Sequence, residues 1–210
     1  MPETDDAVLC LDDMLLAEAQ VRLNEIFAND LQFPVYLIRS PEEHSDCLMS
    51  VSGGSSSLYY RDIISDWRGS GYPIKIYRDE MAAPVFYGTL AHEIAHCFTP
   101  MISTPWSCLP EEMGFLPVPK ADLKPIFGTP QDDFDFHRPE FWRLAFHAGA
   151  RAAKAGLPCT HRHIGMLPAD ADMVYKTIVP EIEELEKTPL WKIAMRPLPR
   201  LFARLFCLHV

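Results

Sequence analysis

No C-x-x-C pair occurs in this chain, although it holds six cysteines, Cys10, Cys47, Cys97, Cys108, Cys159 and Cys207. Paired cysteines mark zinc ribbons and disulfide scaffolds, and this scattered spacing argues against both. Most of these isolated thiols are expected to serve as small buried hydrophobes. No apolar run approaches the ~20 residues needed to cross a bilayer. The opening stretch MPETDDAVLC has no basic region ahead of an apolar one, so a secretory leader is not expected and a cytoplasmic location is. Positive charge is also scarce: 19 Lys and Arg stand against 29 Asp and Glu, a formal net charge of −10. Nucleic-acid binding needs a basic surface that displaces counterions from phosphates, and the chain as a whole gives no such signal.

The sign reverses in one place. No acid follows Glu186, while Lys187, Lys192, Arg196, Arg200 and Arg204 do. Residues 188–210 therefore read as a basic amphipathic tail set off from a main domain over 1–187. A docked terminal helix with a solvated basic face is one reading. A helix that meets an acidic partner, nucleic acid or a membrane surface is the other.

The remaining composition, 48% hydrophobic and 23% charged over 210 residues, suits one globular domain. DDMLLAEAQVRLNEIFAND reads as a helix with Asp12 or Asp13 as N-cap and Leu15, Val21, Leu23, Ile26 and Phe27 on one stripe. FPVYLIRS and GYPIKIYRD are strand candidates, and Pro73 suits a strand start or an exposed edge. A helix is expected from Pro84 to Thr99, since Pro84 fits a first turn and Pro100 stops it. Residues 100–131 form a proline-rich connection. PEFWRLAFHAGARAAKAG is a second strong helix ending at Gly156. ADADMVYKTIVPEIEELEK is helical with an interruption at Pro180. Strands confined to the first half and helices dominating the second give an α+β class, a small sheet packed on helices.

The most informative stretch is GTLAHEIAHCFTP, residues 88–100. Residues four apart on a helix share a face, so His92 and His96 can hold one metal ion. Glu93 is rotated ~100° from His92 and can reach a bound water without ligating the metal. H-E-x-x-H on a helix is the zinc-peptidase signature for this reason. Leu90, Ile94, Cys97 and Phe98 form the opposite, core-facing stripe. Gly88, one turn before His92, provides either open space beside the histidines or a close-packing point.

Catalytic zinc takes three protein ligands. The extension H-x-x-G-x-x-H is absent, so the third ligand comes from further on: Glu111, Glu112, Asp132, Asp133, Asp135, His137, Glu140 or His147. His137 is preferred, because it precedes a helix whose Phe141, Trp142, Leu144 and Ala145 would dock beside the first. Asp133, Asp135 and Glu140 remain alternatives. LPCTHRHIG places Cys159, His161 and His163 at alternating positions; a polar turn with a buried cysteine is favoured over a second metal site.

HEIAH followed some forty residues later by HRPEFW resembles the SprT-like zinc metallopeptidases and related zincin-fold hydrolases. The likeness covers roughly residues 73–155. It implies a zincin-like fold with a small mixed sheet packed on the motif helix. It also implies one zinc ion on His92, His96 and His137, with Glu93 as general base and a polypeptide as substrate. Arg138 stands where the family usually has glycine, and no cysteine-rich ribbon follows. On this reading the strand YPIKIYRD is the edge along which an extended peptide pairs. Tyr87, Arg138, His147 or Tyr175 would be the oxyanion donor. A non-catalytic binding module and a zinc hydrolase of a small amide or ester are the alternatives.

Overall fold

Short β-branched and aromatic segments pair early in the chain, and long amphipathic segments take over from residue 83. The class is α+β. The computed structural model describes residues 7–41, 48–51, 58–61, 63–98 and 139–207. In order they form β1 (Val8–Cys10), α1 (Asp13–Ile26), β2 (Val35–Arg39), β3 (Met49–Val51), β4 (Tyr72–Ile76), β5 (Glu80–Ala82), α2 (Ala83–His96), α3 (Pro139–Lys154), α4 (Pro168–Glu184), α5 (Leu190–Ala194) and α6 (Arg200–Cys207). The proline-rich connection over 100–131 lies outside the described residues.

Among the described residues there are two small sheets. β1 pairs with β5 antiparallel. In the other, β4 is central, parallel to β2 and antiparallel to β3. This corrects the expectation of an edge strand at YPIKIYRD. Pro73 sits second in β4 and is buried, as a strand start allows, but Met49–Val51 covers the other side of β4 through Ile74–Ile76. Among the described residues the outer strand on that side is β3. The opposite edge is closed by α1: Asn24 both donates to the Val35 carbonyl and accepts from its N–H, and Gln20 accepts from the Leu37 N–H.

Asp12 caps α1, accepting from the Leu15 N–H at 2.8 Å. The buried residues of α1 are Leu16, Ala19 and Leu23; of the expected stripe, Leu23 and Phe27 are buried and Leu15 and Ile26 pack partly buried against the core, while Val21 does not belong to it. Val21 is 56% exposed. Val21 follows the buried Ala19 by two residues, ~200° around the helix, and so falls on the solvent face.

α2 and α3 pack against each other at the centre. Phe86, Leu90 and Ile94 of α2 meet a third helix in which Phe141, Trp142, Leu144, Ala145 and Phe146 are all buried. α4 runs unbroken through Pro180, where an interruption was expected. A mid-helix proline forfeits one hydrogen bond. Here the helix is held on both sides, by buried Val174 and Ile178 before it and by Glu181, which takes a bond from Arg143, after it. The tail is two short helices rather than one. Leu190, Ile193, Leu198 and Phe202 are buried in the main core. Arg143 also donates to the Arg196 carbonyl, and Asp30 binds both Arg151 and the Leu190 N–H, so α3 and the end of α1 anchor this segment.

Candidate metal centre

α2 begins with Pro84 in its first turn and ends at His96. Its 3.6-residue repeat brings His92 and His96 to one face, with ring centroids 4.9 Å apart and Nε2 atoms 3.2 Å apart. A tetrahedral zinc with Zn–N bonds of ~2.0–2.1 Å holds its nitrogens ~3.3–3.4 Å from one another. The pair therefore has the bite that one such ion requires. The same spacing suits a hydrogen bond between a protonated and an unprotonated Nε2, so metal and proton compete for these atoms.

His92 is oriented from outside its helix. Its Nδ1 lies 2.8 Å from the carbonyl oxygen of Ile164. A carbonyl only accepts, so Nδ1 carries the proton and Nε2 keeps its lone pair for a metal. Partners of this kind fix ring orientation in metal sites. The carbonyl belongs to a bracket over residues 160–165 that lies directly on α2. A Cβ at Gly88 would stand 2.7 Å from both the carbonyl carbon and the Cβ of His163. Gly88 is thus a close-packing point and does not open space beside the histidines. Gly165 has φ +89°, and a Cβ there would come within 2.9 Å of His92 Nδ1. Both glycines allow the bracket to touch the ligand helix.

The bracket is the last six residues of LPCTHRHIG, and the side chains of Cys159, His161 and His163 do not gather on one metal. Cys159 is buried, and burial pushes its thiol up to about 12. His163 pairs with the Thr160 hydroxyl. His161 stacks on Tyr175 with centroids 4.1 Å apart and bonds Asp172 at 2.7 Å, while Arg162 grips the same carboxylate with two bonds. These bonds, Arg162's first, hold the Asp172 carboxyl down at about 2 instead of its ordinary 3.8. The clamp is complete above 3.8 and is lost as pH falls through about 2. Arg162→Ala is expected to move the Asp172 titration back toward 3.8, read from its carboxyl carbon shift by NMR.

Glu93 is only 5% exposed and accepts the Val51 N–H of β3. Burial drives its pKa up to about 8 against that bond. A dication on the adjacent histidines would act in the opposite direction, favouring the carboxylate. The first turn of α3 closes the site laterally. Phe141 lies 4.3 Å from the His96 ring and 4.7 Å from the His92 ring, centroid to centroid, and Trp142 is 5.8 Å from His92. The expected docking of this helix beside the motif helix is present.

Among the described residues no three His, Cys, Asp or Glu side chains gather as a metal site needs. His92 and His96 come together, with Glu93 between them in sequence. His137, Glu111, Glu112, Asp132, Asp133, Asp135 and Arg138 lie outside the described residues. Glu140 is buried in the first turn of α3. His147 sits near Glu181, 3.9 Å away, and burial lowers its pKa. Tyr175 is stacked on His161, and Tyr87 packs edge-on against Phe86. Sequence reasoning missed the Ile164 carbonyl, Gly165 and the Val51 N–H. Only the glycine after the second histidine of THRHIG hinted at the first two. Compared with protein-family models, with curated proteins and with solved structures, the chain matches none.

Proposed function

We propose that this protein is a zinc-dependent metallopeptidase of zincin-like architecture, with one zinc ion on His92, His96 and His137 and Glu93 as general base. The observation that carries the reading is the pair of Nε2 atoms 3.2 Å apart on α2, one fixed in its metal-binding tautomer by Ile164, with the buried Glu93 directly after His92 in the same helix. Neutral imidazole suits zinc. A zinc ion there would supply Lewis acidity and a water acidified toward neutral pH. Glu93 would take the proton of that water at a carboxylate oxygen and deliver it to the departing amine. Phe141 and Trp142 would exclude bulk solvent from the histidine face and keep both rings in place.

His137 is two residues upstream of α3, whose first turn lies against both imidazoles, and this favours it over ligands further from that helix. Polypeptide is the preferred substrate because, among the described residues, β3 is an outer strand beside α2, and an extended peptide can add to such an edge. The peptide track on this reading runs along β3 and not along the central strand β4.

Elemental analysis of the wild type, His92→Ala and His137→Ala, each grown with added zinc, tests the assignment. About one zinc per chain in the wild type and a large loss in both variants is the expected result. Zinc retained by His137→Ala moves the third ligand to Asp133, Asp135 or Glu140. A metal-free wild type overturns the metallopeptidase reading.

A further inference from the structure

The chain's charge is sharply segregated. All 29 of its acids lie at or before Glu186, and the segment after it carries only cations. The structure gives this segregation a shape. In α5, Leu190 and Ile193 point into the core, which turns Trp191 and Met195, four residues apart, outward together. Trp191 is 44% exposed, Met195 56% and, at the start of α6, Leu201 62%. Lys192, Arg196 and Arg200 are exposed among them, and the Lys192 ammonium lies 5.2 Å from the Trp191 ring centre. No acid interrupts this run.

Isolated exposed apolar residues are ordinary on protein surfaces. Three large ones interleaved with three cations are not explained that way. The surface is also rigidly presented: Leu198 and Phe202 are buried beneath it, and Arg143 holds the Arg196 carbonyl at 2.8 Å.

We propose that the surface from Trp191 to Leu201 docks the protein onto anionic phospholipid membranes. A tryptophan flanked by lysine and arginine suits the headgroup boundary, where its ring and the aliphatic side chains enter the acyl edge while the cations meet lipid phosphates and carboxylates. Nucleic acid would engage the cations but would leave Met195 and Leu201 without apolar partners. No helix among the described residues is long and apolar enough to cross a membrane, and the proposed association is through this surface. The acidic remainder of the chain would be repelled by the same lipids, which orients the protein with this surface downward.

The test is co-flotation of the full-length protein with vesicles of phosphatidylcholine alone, or of phosphatidylcholine mixed with phosphatidylserine. Binding is expected only to the mixed vesicles, and it should fall as salt shortens the screening length from ~8 Å toward ~3 Å. Reversing Lys192, Arg196 and Arg200 together to Glu should weaken it by at least roughly a hundredfold, at about fivefold per cation. Trp191→Ala should weaken it while leaving the salt dependence unchanged. Thermal melts and zinc content matching wild type show that the variants are folded. Absence of binding at low salt, equal binding to neutral vesicles, or unchanged binding by the charge-reversed variant overturns the proposal. So does retention by duplex DNA without retention by the mixed vesicles.

Discussion

Glu93→Gln is expected to hold zinc at the wild-type stoichiometry and to lose peptide hydrolysis by roughly a hundred- to ten-thousandfold, the contribution of a positioned general base. The substitution separates the two roles that this position combines. Its structural role is to fill a buried site against β3 and accept the Val51 N–H. A glutamine Oε1 does the same at nearly equal volume. Its chemical role is to take a proton, which an amide cannot do. Burial disfavours the charged carboxylate, so the neutral amide is also expected to leave thermal stability unchanged or raised. The measurement is initial rate on an unfolded protein substrate alongside elemental analysis of the same preparation. A variant that keeps its zinc and its turnover removes Glu93 from the chemistry. A variant that loses zinc shows that the carboxylate acts on the metal site itself.

The parts of this site that were legible in sequence are those built by local periodicity. His92, Glu93 and His96 lie within one helical turn or so, and Pro84 marks where that helix begins, so their placement needed nothing from elsewhere in the chain. Phe141 and Trp142 were expected to dock beside the motif helix because four apolar residues among five at a helix start, broken only by Arg143, must be buried, and they are. What was misread depends on contacts between distant segments. Pro73 speaks for a strand start or an edge with equal force. Only the pairing of a three-residue strand at Met49–Val51 decides between them, and three residues carry no readable alternation. The same holds for the bracket: THRHIG is locally a polar turn, and nothing within it says that its backbone will sit on Gly88 or accept from His92 across 72 residues. On α1 only Val21 was misplaced: Leu23 and Phe27 are buried as expected, and Ala19, too small to count as a core anchor by hydrophobicity, is packed as well.

Gly88→Ala measures how much of the site depends on that long-range contact. In an exposed helix the change would stabilise by about 1 kcal/mol through propensity alone. At this position the new methyl meets the His163 carbonyl, its carbon at 2.7 Å and its oxygen closer still, and overpacking of that kind costs ~1–3 kcal/mol. The cost is small only if the neighbour can retreat. The bracket is pinned by the Thr160–His163 bond and by the double grip of Asp172 on His161 and Arg162. With a backbone neighbour pinned in this way, the cost falls at the upper end of that range and overpacking is expected to win, giving a net destabilisation of up to about 2 kcal/mol by denaturant unfolding. The bracket that retreats takes the Ile164 carbonyl with it, and loss of such a partner on a ligating histidine lowers metal affinity by roughly 10- to 100-fold. The two readouts should move together, since one displacement causes both. Asp172→Asn, which loosens the same bracket without adding bulk, is expected to shift zinc affinity in the same direction by less. A Gly88→Ala protein that is more stable than wild type, with zinc affinity unchanged in a competition titration, would show that the bracket is a passive turn and that His92 holds its metal-binding orientation without it.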